Sequence, residues 1–239
     1  MIDRLLVIVP AYNEQENIEN VLIQIKKVSP VYDIVVVNDG SDDDTEYLVK
    51  QTGVKLLSHP INLGAGSAIQ TGLKYALKEK YDLAVVVDGD GQHAPQEIPR
   101  LVEALHKTSS DVVVGSRFLS NINVKIHWAR RIGIYLFSKI ASSIGHCRIT
   151  DTTSGFRVFN QKAIRYLARE IPLDFPDADM LLSLLFSGFK IVEIPVEIRE
   201  RTGGRSMYST LRAIYYPFKV LIAISAVLLR RLFEGGRGL

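Results

Sequence analysis

The stretch Asp88-Gly89-Asp90-Gly91-Gln92 places two carboxylates and one carboxamide at alternate positions, separated by glycines. Glycine lets a backbone come close to a ligand, so the three polar side chains can turn toward one cleft. Hard oxygen donors of this kind suit Mg²⁺ or Mn²⁺ held jointly with a substrate diphosphate. The alternatives are an Asx-rich turn or a calcium loop, but the spacing and closing glutamate of an EF-hand are missing. The stretch therefore predicts a divalent-metal site.

Three further polar segments also follow apolar runs of strand length. They are Pro10-Ala11-Tyr12-Asn13-Glu14, Asn38-Asp39-Gly40-Ser41 and Gly115-Ser116-Arg117-Phe118. In open α/β sheets, ligands bind beyond the carboxyl ends of the strands. Four strand ends with such side chains, counting Asp88–Gln92, are hard to attribute to loop chemistry alone. They predict one shared cleft.

The segment Asn62-Leu63-Gly64-Ala65-Gly66-Ser67 follows another apolar run and opens a helix. Its Gly-x-Gly lacks the third glycine of a dinucleotide-binding fingerprint, because Ile69 stands in that place. Backbone N–H groups and a helix N-terminus could still approach a nucleotide here. No phosphate-binding loop with Gly-Lys-Ser/Thr occurs in the sequence, which argues against an ATPase.

Two polar clusters lie in the second half of the chain, at Asp151–Arg157 and Arg199–Ser206. The later cluster is glycine-rich and contains several arginines. Arginine recognises phosphates through paired donors, so this loop is a candidate phosphate contact. An exposed linker is the alternative.

The first half of the sequence alternates between two kinds of segment. Apolar runs rich in Val and Ile, typical of strands buried on both faces, occur at Leu5–Val9, Ile34–Val37, Val54–Leu57, Leu83–Val87 and Val112–Val114. Segments with helical character lie between them, at Glu16–Val28, Asp43–Gln51, Ala65–Lys80 and Gln96–Thr108. The alternation predicts an α/β fold with an open, mainly parallel sheet and helices on both faces.

Two later segments could meet a membrane. Asn123–Ile149 is helical in character, basic and aromatic, which suits either a membrane interface or packing on the sheet. Ala213–Leu229 is almost unbroken apolar sequence, but it falls short of the ~20 residues of a spanning helix and contains Lys219. We expect a helix within 211–239 that lies on the membrane surface or docks on a partner.

Composition limits the remaining possibilities. The chain of 239 residues, 47% hydrophobic, is long enough for one large domain or two small ones, and its net charge of +3 does not imply nucleic acid. The single cysteine, Cys147, excludes an internal disulfide and argues against a structural zinc site. The apolar run Leu5–Val9 is too short for a signal segment, so a cytoplasmic protein is predicted. The basic C-terminal end suits an acidic lipid surface, or is a solvated face.

Taken in order, the motifs resemble family-2 glycosyltransferases of the dolichol-phosphate mannose synthase type. The resemblance extends from about Leu5 to Met207 and includes the segments starting at Pro10, Asn38, Asn62, Asp88, Gly115 and Ser154. It implies a GT-A type nucleotide-sugar-binding fold over residues 1–210. It also implies an inverting hexosyltransferase that uses a UDP- or GDP-linked sugar and a polyprenyl or dolichyl phosphate acceptor.

The resemblance also implies roles for individual residues. The nucleotide would be surrounded by Pro10, Ala11, Tyr12, Glu14, Asp39, Gly64 and Asp88. Asp90 and Gln92 would hold Mg²⁺ or Mn²⁺ on the diphosphate. The residues expected to handle phosphates are Arg117, Arg130, Arg131 and Arg201, with the last three facing the acceptor. Asp90, Arg117 and Arg201 are the predicted catalytic residues.

The sequence departs from this family at two points. Related loops near Arg201 often end in Ser-Lys, whereas here Ser206 precedes Met207. Many relatives also continue into transmembrane helices. We expect this chain to attach peripherally to the inner face of the cell membrane, where a separate small membrane protein could supply the anchor.

Two rival functions stay open at this point. Transfer to a saccharide hydroxyl, as in cell-surface polysaccharide synthesis, would require a general base, for which Asp151, Asp177 and Asp179 are candidates. The later Gln-x-x-Arg-Trp of polysaccharide synthases is missing from the sequence. An inactive nucleotide-sugar-binding partner would be expected to have lost a metal carboxylate, but Asp88 and Asp90 are both present. The sequence does not choose between uracil and guanine, or between Mg²⁺ and Mn²⁺.

Overall fold

The computed structural model describes residues 3–119, 138–139, 142, 149–171 and 178–199. Within these ranges the chain forms one seven-stranded sheet. Its strands are β1 (Leu5–Ala11), β2 (Asp33–Asn38), β3 (Lys55–Ser58), β4 (Leu83–Val86), β5 (Val112–Ser116), β6 (Arg157–Asn160) and β7 (Ile191–Pro195). The five strands predicted from the apolar runs are all present, with bounds that differ by up to two residues.

The strands lie side by side in the order β3-β2-β1-β4-β6-β5-β7. Four neighbouring pairs are parallel, namely β1 with β2, β1 with β4, β2 with β3, and β5 with β7. Strand β6 runs antiparallel to both of its neighbours, β4 and β5. The predicted open and mainly parallel sheet is therefore confirmed. The antiparallel β6 places the start of that strand at the carboxyl ends of β4 and β5.

Helices cover both faces of the sheet, as predicted. They are α1 (Ile18–Val28), α2 (Thr45–Gln51), α3 (Ala65–Lys78), α4 (Ile98–Thr108), α5 (Gln161–Glu170) and α6 (Ala178–Phe186). Three predicted helices begin about two residues too early. Before α4 the chain forms a short 3-10 turn, Pro95–Glu97. The loop before α1 and the loop before α2 form hydrogen bonds with each other, and the two helices begin only after these contacts.

Two apolar layers hold the sheet between these helices. On one face, Leu6 and Ile8 of β1 pack with residues of α3, α5 and α6. On the other face, Val7 and Val9 pack with residues of α1, α2 and α4. Neighbouring residues of β1 thus enter opposite layers, and all four are 1% exposed or less. Burial on both faces explains why the sequences of these strands are unbroken apolar runs.

Several predicted features lie outside the described residues. These are the predicted helix over 211–239, most of Asn123–Ile149, and the residues Arg130, Arg131, Asp177 and Arg201. Among the helices that the structure does describe, none combines the length and apolar character needed to cross a bilayer.

Candidate functional site

The loops that follow β1 and β2 are bonded to each other. The backbone N–H of Asn13 donates to Ser41 Oγ (3.0 Å), and the N–H of Asp42 donates to Asn13 Oδ1 (2.9 Å). The N–H of Glu14 donates to Thr45 Oγ1 (2.8 Å). Asn13 takes a left-handed conformation, with φ of 54°, which asparagine tolerates better than most residues. The two strand ends are therefore held as one unit, with Tyr12 and Glu14 between them.

Asp39, at the end of β2, is only 3% exposed and is fully engaged by the next loop. Its Oδ1 accepts from His59 Nδ1 (2.7 Å) and from the N–H of Leu63 (3.0 Å), and its Oδ2 accepts from the N–H of Gly64 (2.8 Å). His59 Nε2 lies 2.9 Å from Thr71 Oγ1 on α3. The carboxylate of Asp39 thus fixes the turn that enters α3. Its predicted contact with a nucleotide stays a prediction.

Gly40 is required at the crossing of these loops. It has φ of +69°, and a Cβ added there would lie 2.4 Å from Ile61 C and 2.6 Å from Asn62 N. Gly53 has the same φ of +69° but nothing within 4 Å of an added Cβ. Substitution at Gly53 would therefore cause backbone strain alone, whereas substitution at Gly40 would cause both strain and a steric collision.

We expect Gly40→Ala to lower the free energy of unfolding by about 2–5 kcal/mol, because strain and collision with the backbone add. The matched control, Gly53→Ala, should lose only the strain, about 1–2 kcal/mol. Urea unfolding of both variants measures the difference. Equal losses would show that residues 61–62 move aside without cost.

The loop after β4 packs against the end of β1. The N–H of Gly89 donates to the carbonyl oxygen of Pro10 (3.3 Å), and an added Cβ at Gly89 would lie 3.0 Å from that oxygen. Asp90 Oδ1 accepts from the N–H of Gln92 (2.9 Å), which shapes the turn. The side chain of Asp88 is 40% exposed, and Asp90 and Gln92 are partly exposed. The predicted metal residues therefore lie beside the predicted nucleotide residues.

The donor set fits a divalent cation that shares its ligands with a substrate. No group of three or more His, Cys, Asp or Glu side chains able to hold a metal occurs in the part of the chain that the structure describes. Mg²⁺ in nucleotide sites is commonly held by one or two carboxylates, with phosphates and waters completing its six positions. Asp90, Gln92 and the nearby Asp88 could supply that protein share.

Arg117, at the end of β5, is paired with a buried carboxylate. Its Nε lies 2.7 Å from Asp151 Oδ2 and its Nη2 lies 2.7 Å from Asp151 Oδ1, while its backbone N–H also donates to Oδ2 (3.0 Å). Nη2 donates to the Thr153 hydroxyl as well. Asp151 is fully buried and the Arg117 side chain is 17% exposed. This bidentate pair fixes the segment before β6 to the end of β5.

The same pairing argues against Asp151 as a general base. Burial raises its pKa, but the Arg117 guanidinium and the N–H donors outweigh burial and hold that pKa below its ordinary value of 3.8. Both of its oxygens already accept hydrogen bonds from Arg117 or Thr153. A carboxylate that is this acidic and this occupied is a poor proton acceptor.

Glu193 of β7 supports this arrangement from the other side. Its Oε2 accepts from the N–H of Thr150 (2.8 Å) and from the Thr150 hydroxyl (2.6 Å), and its Oε1 accepts from the N–H of Asp151 (2.8 Å). Thr150 Oγ1 also lies 2.9 Å from Ser116 Oγ. Burial raises the pKa of Glu193 above its ordinary value of 4.5, and the charge on Asp151 adds to the rise, although these hydrogen bonds oppose it.

This raised pKa predicts a pH-dependent stability. The folded chain binds the Glu193 proton more tightly than the unfolded chain, so this contribution is complete below pH 4.5 and is lost as pH rises through the raised pKa. We expect the free energy of unfolding of the wild type to fall with pH in that window relative to Glu193→Gln. Urea unfolding from about pH 4 to 8 tests this, and parallel curves for the two proteins would contradict it. The stabilising ionisation of Asp151 is lost only below 3.8, outside this window.

The family model described as glycosyl transferase family 2 matches residues 6–167. The chain belongs to glycosyl transferase family 2. The resemblance inferred from the ordered motifs is confirmed.

Members of family 2 with named activities match most of the chain. Polyprenol monophosphomannose synthase of Mycolicibacterium smegmatis is 30% identical over 234 residues, covering 91% of this chain and 85% of that one. UDP-N-acetylglucosamine–dolichyl-phosphate N-acetylglucosaminyltransferase of Methanococcus voltae is 33% identical over 191 residues, covering 72% and 75%. Undecaprenyl-phosphate mannosyltransferase of Micrococcus luteus is 30% identical, covering 86% and 88%.

A solved structure shows the same fold. Glucosyl-3-phosphoglycerate synthase from Mycobacterium tuberculosis, in complex with Mn²⁺, UDP and phosphoglyceric acid, aligns with a TM-score of 0.72. The alignment covers 94% of this chain and 78% of that one, at 18% identity. The predicted GT-A type α/β fold is confirmed.

In this family-2 chain the structure brings most of the predicted site residues together. Those that meet at the carboxyl ends of β1, β2 and β4 are Pro10, Ala11, Tyr12, Glu14, Asp39, Gly64, Asp88, Asp90 and Gln92. Arg117 lies at the end of β5, against Asp151.

Sequence reasoning missed four residues that support the site: His59, His93, Gly155 and Glu193. Glu193 carried a signal, since a single acidic residue interrupts the otherwise apolar strand Ile191–Pro195. Gly155 and His93 stood inside recognised motifs, but only the fold shows what each of them touches.

Proposed function

We propose that this chain transfers a sugar from a nucleotide-diphosphate sugar to a polyprenyl phosphate, with inversion at the anomeric carbon. The observation that carries the proposal is the Asp88–Gln92 loop, which presents partly exposed side-chain oxygens and packs its backbone against the end of β1. The names of three family-2 relatives, each of which specifies a polyprenyl, undecaprenyl or dolichyl phosphate, support the choice of acceptor.

The donor side of the reaction follows from the cleft. Asp90 and Gln92 would hold Mg²⁺ or Mn²⁺, and this cation would neutralise the charge that develops on the departing nucleoside diphosphate. Pro10, Ala11, Tyr12, Glu14, Asp39, Gly64 and Asp88 form the proposed nucleotide contacts. The backbone around Gly64 is fixed by Asp39, which presents the start of α3 to the cleft in a set conformation.

The acceptor side needs orientation more than proton transfer. A phosphate monoester is already ionised near pH 7, so one of its oxygens can attack the anomeric carbon directly. The new bond forms between that oxygen and the sugar carbon, while the bond from the carbon to the diphosphate breaks and the nucleoside diphosphate leaves with the electron pair. Asp151, the described carboxylate nearest to Arg117, is already engaged, which agrees with a reaction that uses no general base.

The proposed phosphate ligands are Arg117, Arg130, Arg131 and Arg201. Of these, only Arg117 lies among the described residues, and its Nε and Nη2 face Asp151. Because this ion pair is formally neutral, Arg117 would act on a phosphate through directed N–H groups and not through net charge.

The acceptor chemistry also implies a location. A polyprenyl chain stays in the bilayer, so the proposed reaction takes place at a membrane surface. We propose that 1–210 form the catalytic domain and that the basic, apolar 211–239 attach it peripherally to the inner face of the cell membrane. A small membrane protein is the proposed partner if this attachment is too weak alone.

The direct test mixes the purified full chain with a polyprenyl phosphate and a panel of UDP- and GDP-sugars, with Mg²⁺ or Mn²⁺. Mass spectrometry then looks for a glycosylated lipid, with EDTA as the control. We expect a lipid product that EDTA abolishes. Nucleotide release only when an oligosaccharide is added would instead establish a hydroxyl acceptor. Absence of any product, with liposomes of anionic lipid also supplied, would overturn the proposed function of the chain acting alone.

A further inference from the structure

His93 follows the Asp88–Gln92 loop directly, yet its side chain is turned inward and is only 6% exposed. Its ring stacks on Phe156, with centroids 4.9 Å apart and planes 13° from parallel. Its backbone pairs with Ile198 in an antiparallel bridge, and the N–H of Arg199 donates to the Gln92 carbonyl oxygen (2.9 Å). The ring is therefore held by side-chain stacking and by the backbone.

Both nitrogens of this ring face the same residue. The backbone N–H of Asp88 donates to His93 Nδ1 (3.0 Å), so Nδ1 must act as an acceptor. A neutral ring with a bare Nδ1 carries its proton on Nε2. Nε2 lies 3.5 Å from Asp88 Oδ2. His93 thus contacts Asp88 at its backbone and approaches it at its carboxylate.

Gly155 lies against the same carboxylate from another direction and leaves just enough space for it. A Cβ added at Gly155 would lie 2.9 Å from Asp88 Oδ2 and 3.0 Å from Asp88 Oδ1. Gly155 immediately precedes Phe156, the residue on which the His93 ring stacks. The strand that enters the sheet as β6 therefore supplies both the platform for His93 and the space for the Asp88 carboxylate.

We propose that His93 and Gly155 are positioning residues that hold Asp88 in one orientation for the nucleotide and its cation. The inference rests on the proposed function and adds to it two residues that act through Asp88. A side chain that is 40% exposed would otherwise sample several rotamers, and fixing it beforehand lowers the cost of binding. Partners of this kind typically contribute 10–100-fold to metal affinity or activity.

Three substitutions of His93 separate its contributions. His93→Phe keeps a ring to stack on Phe156 but removes both nitrogens, and we expect it to weaken Mn²⁺–nucleotide binding by about 10–100-fold. His93→Asn keeps an acceptor near Nδ1, and His93→Gln keeps a donor near Nε2, so each should retain part of the affinity. Calorimetry with Mn²⁺ and UDP, or Mn²⁺ and GDP, measures binding, and urea unfolding measures stability. Affinities of the three variants that match the wild type would overturn the proposal for His93.

Gly155 has a control in Gly72 of α3. Neither has a positive φ, and a Cβ added at Gly72 would meet the Ile8 side chain at 2.3 Å, within the apolar layer and away from the Asp88 carboxylate. We expect both alanine variants to lose stability, but only Gly155→Ala to lose Mn²⁺–nucleotide affinity, by about 10-fold or more. Equal affinities of the two variants would overturn the role of Gly155.

A double-mutant cycle distinguishes failure of this inference from failure of the proposed function. If His93 acts through Asp88, then His93→Phe should have little further effect in an Asp88→Ala background, since the two changes would not be additive. Additive losses would show that His93 acts elsewhere. A wild type that binds neither UDP nor GDP with Mn²⁺ would instead overturn the proposed function itself, and the positioning role with it.

Discussion

Asp90→Ala is expected to abolish sugar transfer, and Asp90→Asn to slow it by at least about 10²–10³-fold. Asp90 is the partly exposed carboxylate of the proposed metal site, and its charge is what a divalent cation needs there. Its Oδ1 accepts from the N–H of Gln92, and asparagine can keep that acceptor. The free energy of unfolding of Asp90→Asn should therefore stay within about 1 kcal/mol of the wild type.

Mass-spectrometric rates and urea unfolding measure the two effects separately. The control is Glu103→Gln, which removes the same charge from the exposed surface of α4, where the side chain is 59% exposed. Glu103→Gln should leave the transfer rate unchanged within about 2-fold, because Glu103 lies on a helix surface outside the proposed site. Its exposed ion pair with Lys107 contributes at most about 1 kcal/mol to stability. Full activity in Asp90→Ala would end the metal assignment.

Arg117→Ala is expected to lower the free energy of unfolding by about 3–5 kcal/mol. The substitution leaves the Asp151 carboxylate, which is fully buried, without its cationic partner. An uncompensated buried charge costs far more than the loss of an ion pair in water. Urea unfolding should show the loss directly, and nucleotide binding should weaken because the segment before β6 is released.

Two further variants show whether burial is the cause. Arg117→Met combined with Asp151→Leu removes both charges and should recover most of the lost stability. Lys107→Ala breaks the ion pair with Glu103, in which both side chains are more than half exposed, and should cost less than about 1 kcal/mol. Similar losses for Arg117→Ala and Lys107→Ala would contradict the proposed role of Asp151.

The first half of the fold could be predicted because its information is local. Runs such as Leu5–Val9 are buried on both faces of a parallel sheet, so each strand is visible as an apolar segment without reference to its neighbours. The rule that strand ends gather at one edge then places the cleft. These two steps were enough for the ends of β1, β2 and β4.

The second half of the sheet was harder to predict. Strand β6 spans only Arg157–Asn160 and begins with an arginine that is 1% exposed. Strand β7 contains the acidic Glu193. Neither resembles an unbroken apolar run, because each contributes polar side chains to a buried network. The helices α5 and α6 were missed as well, because the strand–helix alternation could not be followed once these strands went unrecognised.

The supporting contacts of the site could not be predicted, because each joins residues far apart in the sequence. His59 lies 20 positions from Asp39, Asp151 lies 34 from Arg117, and Glu193 lies 42 from Asp151. Only the strand order brings such residues together. Sequence spacing therefore indicated which groups could do chemistry, but not which groups hold them.

The antiparallel β6 divides the cleft between two parts of the polypeptide. Where β1, β2 and β4 reach the cleft, the chain is leaving the sheet, but at β6 it is entering. Residues just before Arg157 consequently lie beside Asp88 and Arg117, although they are far from both in the sequence. The proposed acceptor contacts Arg130 and Arg131 belong to the connection between β5 and β6, whereas the proposed nucleotide and metal residues belong to the loops that follow the earlier strands. Chimaeras that exchange residues 119–149 between homologues, and so keep the Arg117–Asp151 pair, are expected to change the acceptor while the nucleotide sugar stays the same.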